Sequence, residues 1–129
     1  MKPLIAVLVG LLVFIYVAEG VLINPWVFWN ALPLVLAGIL FWLGHSQHNA
    51  PVRRGAIGFL VAAMAVSIPA HLAWMLDLDG TRTGSSTSGL LLAVVPVYGI
   101  GLGGIAFLGT WWIAQRIEAR RRDRDGHSQ

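Results

Sequence analysis

The chain has 129 residues, 57% hydrophobic and 12% charged, about half the charged share of a typical soluble domain. Nine Lys and Arg against six Asp and Glu leave a net charge of +3, and the absence of cysteine excludes disulfides, thiolate nucleophiles and Cys-ligated metals or clusters. The apolar residues fall into four runs of about 20, the length needed to cross a hydrocarbon core of about 30 Å. The predicted class is therefore an all-α integral membrane protein. Four transmembrane helices form an antiparallel bundle over residues 1–115, followed by a basic tail over residues 116–129.

The first run, residues 3–23, carries no charge except Glu19. The same stretch fits a cleaved signal peptide, with Lys2 as a thin basic head, residues 4–17 as the apolar core and Ala18-Glu19-Gly20 as a poor cleavage site. Apolar sequence resumes after that site, which favours a retained helix. Asn24-Pro25 ends one helix and starts the next, because Asn caps helix N-termini and Pro suits the first helical position. The second run, residues 26–44, has Trp26, Trp29 and Trp42 near its ends, as interfacial belts require.

Residues 45–54 read as a polar loop broken by Pro51. In the third run, residues 55–76, Gly55, Gly58, Ala62 and Ala65 recur at three- and four-residue steps and make a smooth stripe for a neighbouring helix. Residues 77–88 form a polar turn around Asp79-Gly80, with Thr87 or Ser88 placed to cap the next helix. The fourth run, residues 89–115, would be about 40 Å long as a helix. Gly99 and Gly103 form a small-xxx-small pair there, with Gly101, Gly104 and Gly109 around it. Beyond one helical turn the tail is expected to be disordered, and its Arg120-Arg121-Arg122 cluster to attract anionic lipid headgroups.

With Lys2 in the cytoplasm, alternation places Lys2, Arg53, Arg54, Arg116, Arg120, Arg121, Arg122 and Arg124 inside and only Arg82 outside. That bias predicts cytoplasmic N- and C-termini in a bacterial inner membrane. At 1.5 Å per residue, Glu19, His71 and Tyr98 each come out roughly 22–27 Å from the cytoplasmic edge. They share one depth with Pro69 and Pro96, while Pro33 lies nearer the middle. Prolines bend such helices and free carbonyls, so a shallow cavity open to the outside is expected.

Ionisable groups at membrane depth are functional candidates because burying them is expensive. Glu19, His71 and Tyr98, with Asp77 and Asp79 above them, form the candidate ligand or proton site; the alternative is a purely structural Glu–His or Glu–Tyr contact. Gly58, Ala62, Ala65, Gly99 and Gly103 are the candidate packing residues. His71, Asp77 and Asp79 match no metal-ligand spacing. His45 and His48 could share a helix face at i, i+3 but read as loop residues, so neither metal nor cofactor is expected. A two-histidine haem is not expected, since His71 is the only histidine inside a run. No phosphate loop, nucleophile elbow, HExxH motif or nucleic-acid fold is present.

The size and four-helix layout are similar to those of small multidrug transporters, which work as dimers with a membrane-embedded glutamate in helix one. Glu19 stands near the outer end of its helix rather than the middle, and the charge bias argues against dual-topology insertion, so the chain is not assigned to that family. Two functions remain expected. The first is a non-enzymatic membrane subunit or assembly protein, packing with itself or with other membrane proteins through the glycines of helix four. The second is a small oligomeric transporter or ion- or proton-conducting protein using Glu19, His71 and Tyr98. An intramembrane enzyme lacks a recognisable nucleophile–base pair.

Overall fold

A computed structural model describes residues 2–20, 25–84 and 89–126. Its helices are α1 (Lys2–Glu19), α2 (Pro25–Ser46), α3 (Ala50–Met75) and α4 (Leu90–Gly126), with a short 3-10 turn at Leu78–Gly80 after α3. All four are long and apolar enough to cross a membrane. The Asn24, Thr87 and Ser88 caps expected from sequence lie outside the described residues.

Local chemistry sets the helix ends. Among the described residues helix α1 ends at Glu19, because Gly20 takes a left-handed conformation (φ 69) that only glycine adopts freely. The loop expected over residues 45–54 shrinks to 47–49. Pro51 does not break a helix there but helps begin one, since its missing N–H falls in the first turn, where no intrahelical partner exists. Asn49 caps α3 by accepting from the Val52 N–H at 3.1 Å. At the far end the tail stays helical to Gly126, because residues 116–124 are mostly good helix formers. The resulting 37-residue α4 spans about 55 Å and projects well beyond a hydrocarbon core.

Helix α3 is central and touches the other three, while α1 packs on α2 and α3 but not on α4. The core is Ile15 of α1, Leu34 and Ala37 of α2, and Phe59, Leu60, Ala63 and Met64 of α3. Against lipid, apolar burial alone gives little driving force, so close packing must supply the cohesion. Glycine provides it between α3 and α4. A Cβ on Gly55 would stand 2.9 Å from the Phe107 ring, one on Gly58 2.5 Å from the Thr110 hydroxyl, and one on Gly103 2.9 Å from the Phe59 ring. Gly99 approaches the Ala63 carbonyl and Pro33 at ordinary contact distance. The Gly99–Gly103 face is therefore used within the chain, against α3 and α2. The glycines of α4 with open space beside them are Gly101, Gly104 and Gly109. Ala62 and Ala65 of the α3 stripe instead line a groove on the outside of the bundle.

Enlarging Gly58 or Gly103 to leucine should destabilise the fold by about 1–3 kcal/mol, the usual cost of overpacking. Gly101→Leu should cost far less. Thermal unfolding in detergent reads the difference, and equal losses at Gly101 and Gly103 would contradict this packing.

Candidate functional site

Four polar side chains from three helices meet at the end of the bundle where α1 stops and α2 begins. Glu19 comes from the last turn of α1, Asn30 from the second turn of α2, and Ser67 and His71 from the last third of α3. All are buried: Glu19 is 7% exposed, Ser67 2%, Asn30 1% and His71 0%. The Glu19 Oε1 and His71 Nε2 atoms lie 3.6 Å apart. Asn30 Nδ2 donates to Glu19 Oε1 at 2.9 Å and to the Trp26 carbonyl at 3.1 Å. Phe14 closes one side, its ring centroid 6.3 Å from that of His71.

The histidine tautomer follows from its partners. His71 Nδ1 lies 2.8 Å from the Ser67 backbone oxygen, which can only accept, so Nδ1 carries a hydrogen. In the neutral ring Nε2 then keeps its lone pair, and it is the nitrogen aimed at Glu19. Nε2 and Asn30 Oδ1 are the two buried side-chain atoms without a hydrogen-bond partner among the described residues. Nε2 borders the carboxyl group.

Ser67, His71 and Glu19 superficially resemble a hydrolytic triad, since Ser67 Oγ lies 3.3 Å from His71 Nδ1. The arrangement cannot activate the serine. With its hydrogen committed to the Ser67 carbonyl, Nδ1 has no lone pair to take the hydroxyl proton.

The residues predicted from sequence separate into three places. Glu19 and His71 come together. Tyr98 does not join them: it is 63% exposed on the outer face of α4, because equal depth does not bring side chains from different helices to one face. Asp77 and Asp79 stay in the connecting loop, both with positive φ. Asp77 organises that loop, accepting from the Arg82 and Thr83 amides at 2.8 and 3.1 Å and from the Thr83 hydroxyl at 2.6 Å. His45 and His48 do not share a helical face, because His48 turns left-handed (φ 51) after α2 has ended. The expected open cavity is replaced by a closed polar cluster, given the complete burial of His71.

Sequence reasoning missed Asn30 and Ser67. Each had a signal: Asn30 is the only amide in the second apolar run, and Ser67 stands four residues before His71, on the same helical face. Trp29 adds a further tie. Its indole donates to the Ala93 carbonyl at 2.8 Å, in the first turn of α4, and links α2 to α4.

Two outcomes follow. Glu19→Leu should destabilise the protein by about 1–3 kcal/mol, because it removes one acceptor of the Asn30 amide and leaves His71 Nε2 facing an apolar side chain. Glu19→Gln, which keeps an acceptor for Asn30 and a donor for Nε2, should cost much less; unfolding curves in detergent compare them. In the loop, the Thr83 hydroxyl first, then the Arg82 amide, hold the Asp77 carboxyl below its ordinary value of 3.8. Its stabilising effect is therefore complete above that value and is lost as pH falls through the lower folded value. Exchange of the Arg82 and Thr83 amides should become faster relative to the intrinsic rate over that acid range, and Asp77→Asn should remove the pH dependence.

The chain matches no protein-family model, no curated protein and no solved structure.

Proposed function

We propose that this chain is a multi-pass protein of the bacterial inner membrane with cytoplasmic termini, and that it works as a small oligomeric proton-conducting or proton-coupled transport protein. The reading is carried by one observation: a carboxyl and an imidazole meet inside the membrane domain at 3.6 Å, with His71 Nε2 facing Glu19 Oε1. A lone charge there would be expensive, whereas the pair has two net-neutral forms. In one, a carboxylic acid faces a neutral imidazole. In the other, the same proton has moved to Nε2 and a carboxylate faces an imidazolium. Such a pair can hold or pass a proton without leaving net charge in the hydrocarbon.

Access follows from packing. Glu19 is the last residue of α1, and exposed Gly20 follows it directly. Helix α1 has no contact with α4, so it can shift without breaking the glycine-packed α3–α4 pair. A small displacement would open the cluster to the outer surface, and a second copy would complete the path that one four-helix unit is too small to enclose. Asn30 positions the carboxyl, and Ser67 fixes the ring of His71.

A second reading, a non-enzymatic subunit or assembly protein, is favoured by a different observation. Val94, Tyr98, Ile105, Leu108 and Trp112 are exposed along one side of α4, with open Gly101 among them. A partner helix would then dock on that stripe.

Proton flux into liposomes with an internal pH dye, driven by an imposed potential, tests the first reading. Glu19→Gln and His71→Gln should each lower flux on the order of tenfold, and Tyr98→Phe should leave it unchanged. Flux equal to that of empty liposomes, or indifferent to both variants, rejects proton conduction. The second reading then predicts cross-links through cysteines placed at Gly101 and Ile105, against a background free of native thiols.

A further inference from the structure

The outer side of the α3–α4 pair holds a groove of about 700 Å³ that has no part in the polar cluster. Its walls are apolar, including Ile57, Val61 and Ala65 of α3 and Ile113 of α4, and it ends between Arg54 and Arg121. Val61 is 64% exposed and Ile57 48%, so the groove faces the bilayer. From Arg54 to Ala65 the α3 wall runs about 16 Å at 1.5 Å per residue. That is close to half of a hydrocarbon core of about 30 Å, the depth of one leaflet.

We infer that this groove is a binding site for an anionic phospholipid, with one acyl chain along the apolar walls and the phosphate between Arg54 and Arg121. Three observations fix the occupant. The groove is apolar for one leaflet's depth and basic at its surface end, the amphipathic profile of a phospholipid. A membrane-spanning helix of a second copy would need an apolar wall about twice as deep. The basic end is also available to a phosphate. Arg121 has no carboxylate partner among the described residues. Among the described residues Arg54 has one long ion pair, 3.8 Å to Glu118, between partly exposed side chains, and such a pair holds its partners weakly. Arginine further suits a phosphate by offering two parallel donors, and basic pockets between transmembrane helices are recognised sites for anionic headgroups.

Small residues create the groove. Ala62 and Ala65 continue the stripe begun by Gly55 and Gly58, but beyond Gly58 it is no longer filled by α4 and opens to lipid.

Native mass spectrometry of the full chain in detergent tests the site, with phosphatidylglycerol and phosphatidylcholine as probes. The wild type should retain phosphatidylglycerol over phosphatidylcholine on the order of tenfold. The double change Arg54→Gln, Arg121→Gln should abolish that preference, and so should Val61→Trp, which fills the groove from an exposed position without altering charge or core. Arg122→Gln, on the side of α4 facing Gln47 and Asn49, should leave it intact. Equal retention of the two lipids overturns the inference. Retention unaffected by Val61→Trp also overturns it, since the arginines would then act as a surface patch without a groove. Dissociation of a wild-type dimer by Val61→Trp would show instead that a second copy fills the groove.

Discussion

A polar group placed in hydrocarbon must find its partner inside the protein, and the rest of this structure follows from that constraint. Glu19, Asn30, Ser67 and His71 each arrive on an otherwise apolar stretch of helix, and none could face lipid cheaply. Bringing them together joins α1, α2 and α3 at one end. It also holds α1, whose buried residues are confined to its last turns, Ile15, Ala18 and Glu19. Most of that helix presents its side chains outward, and the cluster adds to the narrow stripe of Leu4, Leu8, Leu11 and Phe14 that rests against the core.

Cohesion elsewhere comes from a different source. Where α3 meets α4 there are few polar ties, and close approach of backbones does the holding. Gly55 and Gly58 admit Phe107 and Thr110, and Gly103 admits the Phe59 ring. The protein thus combines a tightly fitted pair of helices with a third, α1, that rests on the core through Leu4, Leu8, Leu11, Phe14 and Ile15 and through the polar contacts of Glu19. If Glu19 and His71 exchange a proton, the change falls on the least-packed helix.

The same division separates the two surfaces of the molecule. The polar cluster is sealed and lies near the loop organised by Asp77. The arginine-rich end of α4 lies at the opposite end, where Arg116 also stacks over Trp112 with its guanidinium 4.8 Å from the ring centroid. Aromatic and arginine side chains thus share that end, a combination suited to a membrane–water boundary.

Sequence alone determined what depends on length and order along the chain. Four apolar runs of membrane-spanning length made four helices, and Glu19 and His71 stood out because charge and imidazole are rare in such runs. Helix ends were less legible. Gly20 cut α1 at Glu19, and Pro51 began a helix where it had read as a breaker, because its effect depends on whether its missing N–H falls inside or at the start of a turn. What only the tertiary structure decided is rotation about each helix axis. Tyr98 has the depth of Glu19 and His71 yet faces outward, Asn30 and Ser67 turn inward to meet them, and Gly99 and Gly103 face α3 rather than a partner. Depth is fixed by 1.5 Å of rise per residue. In a helix apolar on every side no hydrophobic face marks the inside, so facing is settled only when neighbouring helices pack.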